Sequence, residues 1–128
     1  MLRRMGAVLL TPGAAIVPYN EDLLEQCDWA AQRISESGGE AWVLPVTQLS
    51  AREEAIVRER QRAQRELEYS DLRHLANAVT ARRAPRTTRR KLAALERGYR
   101  SVVARDHFHA GGRQRARRAI ERALKQDE

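Results

Sequence analysis

Residues 6–20 read Gly-Ala-Val-Leu-Leu-Thr-Pro-Gly-Ala-Ala-Ile-Val-Pro-Tyr-Asn, and residues 37–45 read Ser-Gly-Gly-Glu-Ala-Trp-Val-Leu-Pro. These stretches decide the fold, because they hold nearly all the strand-forming sequence of the chain. Ala7–Leu10 is a short apolar run suited to a buried strand. Thr11, Pro12 and Gly13 make a turn, since proline presets φ and glycine accepts positive φ. Ala15–Val17 returns as a second strand, stopped by Pro18. Asn20 can cap a helix whose first turn carries Glu21 and Asp22, where carboxylates suit the helix dipole. Leu23, Leu24, Cys27, Ala30, Ala31 and Ile34 recur at helical spacing, and Gly38 with Gly39 ends the helix. Ala41–Val46 reads as a third strand, with Pro45 confining it to a strand end or an edge.

Beyond this unit the sequence turns helical. Ser50–Glu53 is a capping box that opens a long polar helix, with Ile56, Ala63, Leu67, Leu72, Ala76 and Val79 on a sparse apolar line. The run Arg82–Arg90, with Pro85 inside it, predicts a break. Leu92, Leu95, Tyr99, Val102 and Val103 then form a seam. Residues 106–112 mark a second break, and Ala116, Ala119, Ile120, Ala123 and Leu124 line a short last helix able to pair with the one before it. The expected organisation is an α/β unit at 1–49 and a helical extension at 50–128, packed on that unit or projecting from it.

Composition narrows the functional classes. In 128 residues, 42% are hydrophobic but only 5% aromatic, so aliphatic side chains must fill the core. The net charge of +7 is unevenly spread. Residues 1–50 carry 3 Lys+Arg against 6 Asp+Glu, whereas residues 51–128 carry 21 against 11. A basic half of this kind points to a polyanionic partner: nucleic acid, an acidic protein or an anionic surface. The plain alternative is a set of well-solvated arginine-rich helices. The single cysteine, Cys27, rules out an internal disulfide and a multi-cysteine zinc site. It falls on the apolar stripe of its helix and reads as a small buried hydrophobe. No apolar run approaches the ~20 residues of a membrane span, and Pro12 and Gly13 cut short the apolar start, so a signal peptide is not indicated. The chain reads as cytoplasmic, with no membrane partner.

The segment Leu2-Arg3-Arg4-Met5-Gly6-Ala7-Val8-Leu9-Leu10, then Pro18, Ser37-Gly38-Gly39-Glu40-Ala41, Glu68-Tyr69 and Arg105-Asp106-His107-Phe108, taken in order, resembles the N-terminal domain of ChrB, the chromate-resistance regulator family. Two positions depart from that pattern. His107 stands where the family has an aromatic residue, and no bulky residue occupies the strand around Ala15 and Ile16. The resemblance implies an α+β fold, a truncated ferredoxin-like unit of two or three strands plus one helix, followed by long Arg-rich helices. It also implies a role in chromate resistance through transcriptional regulation. Family members open with a strand and a helix ahead of the Leu2–Leu10 segment, and longer members carry a separate C-terminal chromate-resistance domain. The chain therefore reads as a short stand-alone form. In a ferredoxin-like sheet the first strand would neighbour Ala41–Leu44, whose backbone groups otherwise lack partners. Three outcomes are open: a start upstream of Met1, direct parallel pairing of Ala15–Val17 with Ala41–Leu44 around the helix, or a partner chain that fills the gap.

No catalytic constellation is visible, so the chain is expected not to be an enzyme and to need no cofactor and no metal. His107, His109 and Asp106 are a weak ligand set; Asp106 suits a turn cap and Phe108 a place on the core. Trp29 and Trp42 are expected at the sheet–helix interface rather than on a base-stacking platform. The candidate nucleic-acid or anion-binding residues are Arg82, Arg83, Arg86, Arg89, Arg90 and Lys91. Six cations within ten residues can neutralise several DNA phosphates, and arginine can also hold a tetrahedral oxyanion. The competing reading is a solvated linker. No recognition helix of helix-turn-helix type is evident, so base readout is not indicated. Candidate partners are DNA, chromate or another oxyanion, and a second copy of the chain. The alternative function is a protein-interaction module, or a shortened gene product with no DNA binding.

Overall fold

The computed structural model describes residues 2–82 and 85–125, with side chains for 2–82 and 89–125. Its described residues form two antiparallel strands and four α-helices. The chain divides into two units, Met1–Gln61 and Arg62–Glu128, and the boundary falls inside the second helix.

In the first unit, a tight helical turn at Leu2–Met5 leads into strand β1 (Val8–Thr11) and strand β2 (Ala14–Ile16). Val8 lies opposite Ile16 and Leu9 opposite Ala15, and the register shifts before Thr11 meets Ala14. Pro12 and Gly13 form the turn, where the Gly13 amide donates to Thr11 Oγ1 at 3.3 Å. Helix α1 (Glu21–Glu36) starts where Asn20 Oδ1 accepts from the Leu23 amide at 2.8 Å. It ends because Gly38 adopts φ +89°, which lets the Gly39 amide reach back to the Ile34 carbonyl at 2.9 Å. The buried apolar residues here are Met5, Ala7, Val8, Leu23 and Ala30. Cys27 is half-buried, its Sγ 3.9 Å from Met5 Sδ, and burial together with the neighbouring Asp28 carboxylate pushes its thiol pKa up.

Two expectations for this unit are corrected. Residues 41–46 form no strand, and Ala15–Val17 does not pair with them: the second strand takes β1 as its antiparallel partner instead. A strand exists only through a ladder partner, and Pro45 removes one of the few donors this segment has. Trp29 and Trp42 do not pack between sheet and helix; they are 62% and 76% exposed. With only three large side chains buried, the unit offers no interior for two indoles.

Helix α2 (Ala51–Arg82) opens on Ser50, whose Oγ accepts from the Glu53 amide at 3.1 Å and donates to Glu53 Oε1 at 2.7 Å. Helices α3 (Pro85–Ala104) and α4 (Arg113–Lys125) follow. The break foreseen over Arg82–Arg90 is not seen at Arg82, the last residue of α2, nor over residues 85–90, which are helical. Proline is tolerated in the first helical turn, where its missing N–H has no intrahelical partner in any case, and Pro85 is the first residue of α3.

The core of the second unit joins Tyr69, Leu72, Ala76 and Val79 of α2 to Leu92, Leu95 and Val102 of α3. Ala110 and the α4 residues Ala116, Ala119, Ile120 and Ala123 complete it. Five alanines let the helices approach closely. At Gly98 a Cβ would sit 3.0 Å from Leu72 Cδ2, so α2 and α3 meet there nearly backbone to side chain. The inward line of α2 also differs from the expected one. Arg65, Tyr69, Leu72, Ala76 and Val79 are buried, whereas Ile56, Ala63 and Leu67 face solvent. Among the described residues, no helix is long and apolar enough to cross a membrane.

Candidate nucleic-acid interface

The helical unit is organised from within by polar residues. The linker between α3 and α4 carries few large apolar side chains, so its backbone must be held by hydrogen bonds. Asp106, buried, accepts from the Tyr69 hydroxyl at 2.8 Å and from the Ala110 amide at 3.0 Å, one residue of α2 thereby fixing the turn that leads into α4. Burial first, and then the hydrogen bond to Asp106 and its charge, push the Tyr69 hydroxyl well above the usual tyrosine range. The Tyr69 and Tyr99 rings lie 6.2 Å apart at 50°. Glu66 caps α4 from outside: its Oε1 accepts from the Gly112 amide at 2.6 Å, at the helix end where negative charge is favoured.

A second cluster lies alongside. Arg65, only 2% exposed, meets Glu68 Oε1 at 2.6 Å and donates to the Arg105 carbonyl at 3.2 Å. Glu68 uses its other oxygen for the Arg105 guanidinium. Arg62 Nε donates to the Phe108 carbonyl at 3.1 Å. Two consecutive turns of α2, from Arg62 to Tyr69, thus grip the linker. Within it, His109 is exposed at φ +55° while Asp106 turns inward, so these two do not converge on a common ligand. Among the described residues, no group of three His, Cys, Asp or Glu side chains could hold a metal ion.

This internal use of carboxylates decides what the surface offers. Residues 62–128 carry 18 Lys+Arg against 8 Asp+Glu. Glu66, Glu68 and Asp106 are spent inside the unit, so the outward face is more basic than the count. On α3 the exposed described positions are Arg89, Arg90, Lys91, Ala93, Ala94, Arg97, Arg100, Ser101 and Ala104, without a carboxylate. At 100° per residue, Arg89, Arg90, Arg97 and Arg100 fall within one arc of about 100°, facing away from Leu92, Leu95 and Val102. The alanines and the serine between them keep that face low, so a flat anionic surface can approach the guanidinium groups. On α4, the exposed Arg115, Arg118, Arg122 and Lys125 form a comparable row beside the buried Ala116, Ala119 and Ala123.

The sequence-derived cation run is only partly one cluster. Arg82 is the last residue of α2 and is exposed; Arg89 and Arg90 share the α3 face; Lys91 points about 100° away from Arg90. Arg83 lies outside the described residues, as does the side chain of Arg86. Arg97, Arg100 and the α4 row were not singled out from sequence. Their signal was the spacing of three, four and seven residues, which reads as a face only once α3 is known to start at Pro85.

The family model for Protein ChrB, N-terminal, matches residues 1–82. The chain belongs to the ChrB N-terminal family. That membership ties it to chromate resistance. No curated protein and no solved structure matches the chain. The ChrB match covers Glu66, Glu68 and Tyr69, the α2 side of the linker contacts. Asp106, Arg105 and both arginine rows lie past it. The motif pairs Glu68-Tyr69 and Arg105-Asp106, which carried the ChrB resemblance in sequence, meet in space: Tyr69 with Asp106, and Glu68 with Arg105.

Proposed function

We propose that the chain is a non-catalytic, cytoplasmic regulator of the ChrB type that binds DNA through the phosphates, using the arginine face of α3. The first unit is, on this reading, part of a ferredoxin-like module. The observation that supports DNA is the basic face itself: Arg90, Arg97 and Arg100 form no ion pair among the described residues, and the one carboxylate of α3, Glu96, is half-buried at the edge of that face. Small neighbours and a row of planar guanidinium forks suit backbone phosphates. Nothing on this face is shaped to read base edges, so affinity should depend little on sequence and strongly on salt.

Fluorescence anisotropy with a labelled duplex tests this. Four phosphate contacts from Arg89, Arg90, Arg97 and Arg100 predict a log–log salt slope of about −3 to −4. No binding to any duplex at low salt overturns the reading, and leaves docking to an acidic protein as the use of this face. Chromate is the alternative anion for the same arginines. Competition of the duplex by millimolar chromate, but not by equal ionic strength of chloride, would assign it.

A further inference from the structure

The first unit exposes more large apolar side chains than it buries. Met5, Val8 and Leu23 are inside, while Leu9, Leu10, Tyr19, Trp29, Ile34, Trp42, Leu44 and Val46 are outside. The imbalance peaks in residues 41–46, where Trp42 is 76% and Leu44 72% exposed. Among the described residues, no backbone group of this segment makes a hydrogen bond. The chain is 32% charged, yet Glu40 is the one charge between Ser37 and Ser50. Natural sheet edges are normally blunted by charge to prevent self-pairing. This edge carries no such protection beyond Pro45.

We infer that residues 41–46 pair, antiparallel, with the same segment of a second copy of this chain, in a register centred on Val43. An antiparallel pair is compatible with a two-fold axis, so each copy offers what the other needs and the contact closes at two. Directly opposed residues share a face of the ladder. Centring on Val43 sets Trp42 against Leu44 of the second copy, twice, and collects the exposed apolar side chains on one face. A register one residue off would oppose Trp42 to Pro45 and split that face. Glu40 then faces Val46, and the two Glu40 carboxylates stand roughly 20 Å apart, too far to repel strongly. The Trp42 indole, which donates to Glu40 Oε1 at 3.1 Å, has its polar atom already satisfied. Trp42, Leu44 and Val46 present on the order of 400 Å² per copy, the scale of a small, reversible interface.

Sedimentation velocity of the full chain over a wide concentration range, with hydrogen exchange on the same samples, tests the pairing. The expected result is a monomer–dimer equilibrium with slowed exchange at the Trp42 and Leu44 amides, the ones that face the second copy. Trp42→Glu combined with Leu44→Glu should raise the dimer Kd by about a hundredfold. Leu44→Pro, which removes a ladder donor (the Pro45 and Val43 nitrogens face outward in this register) but keeps an apolar side chain, should do the same. Both changes are at positions outside the protomer core, so helical circular dichroism should persist, and Leu67→Glu on α2 should leave the dimer intact. A chain monomeric at every concentration overturns the inference. So does open-ended association, a dimer indifferent to the 42–44 variants, or slow exchange at Trp42 and Leu44 in a monomer.

Discussion

The Tyr69 hydroxyl donates to Asp106 across 37 residues of sequence, and Asp106 returns the bond to the chain by accepting from the Ala110 amide. One buried carboxylate thereby ties the middle of α2 to the turn that launches α4. Removing the hydroxyl with Tyr69→Phe keeps the ring and its packing on Tyr99 but strips Asp106 of a donor where water cannot replace it. The expected loss is about 1–2 kcal/mol of stability, read as a lower midpoint in urea unfolding. Asp106→Ala removes both bonds and should cost more. An unchanged midpoint in Tyr69→Phe would show that the linker is held without this bond.

Tyr69 also predicts behaviour at high pH. Burial and the Asp106 carboxylate keep its proton on in the folded state above the ordinary tyrosine value. The unfolded chain releases that proton near pH 10. The contribution to stability is therefore fully present below about pH 10, and is lost as the pH rises beyond it, because only the unfolded state gains by ionising. Urea midpoints taken from neutral to alkaline pH should fall above about pH 10. The fall should be shallower in Tyr69→Phe. Equal pH dependence in the two proteins would remove Tyr69 as the cause.

The Arg65–Glu68–Arg105 cluster gives a sharper test of buried charge. Glu68→Ala leaves the Arg65 guanidinium inside the unit with no carboxylate, and should destabilise by about 3 kcal/mol or more. Arg65→Met together with Glu68→Leu removes both charges and keeps volume, so it should recover much of that loss. Because Arg105 also loses its partner, recovery should be incomplete. Urea unfolding of the single and double variants distinguishes the cases; a double variant worse than Glu68→Ala would mean that the pair is net stabilising.

Much of the local structure could be read directly from residue chemistry. Pro12-Gly13, Asn20, Gly38 and the Ser50–Glu53 box each act within four residues, so the turn, both helix starts and the helix stop follow from neighbours in the chain. The failures share the opposite property. Residues 41–46 have strand composition, but a strand needs a partner that composition cannot supply. The inward face of α2 was misread because Arg65 is inside and Leu67 outside, against the usual preference. What overrides it is the linker at Arg105–Asp106, which needs charged and hydroxyl groups on that face. Half of the candidate interface was hidden for a different, local reason. The run Arg82–Lys91 was visible as a cluster, but the face it shares with Arg97 and Arg100 appears only when the helix is known to start at Pro85.

Gly38 isolates a purely conformational cost. At φ +89° a side chain is strained, yet a Cβ there would meet nothing within 4 Å. Gly38→Ala should therefore cost about 1 kcal/mol through backbone strain alone. Gly38→Asn, better suited to the left-handed region, should cost less. Thermal melts of the two variants should rank in that order; a neutral Gly38→Ala would mean that the first unit does not contribute to the cooperative transition.

The two arginine rows make separable predictions for DNA. Each α3 position is exposed and remote from the core, so Arg90→Ala, Arg97→Ala and Arg100→Ala should leave the urea midpoint within about 0.5 kcal/mol of the parent. If each side chain neutralises one phosphate, the triple variant should flatten the salt slope by about 2 to 3 units and lower affinity most at low salt. The α4 row provides the comparison. Arg115 already lies 3.9 Å from Glu66, and Arg117 pairs with Glu121, so α4 spends part of its charge on its own unit. Arg118→Ala with Arg122→Ala should consequently change the slope less than the α3 triple variant. Equal effects from both rows would mean that DNA is held by the diffuse charge of the helical unit rather than by a face of α3. No effect from the α3 variant, with binding intact, would move the contact off this helix altogether.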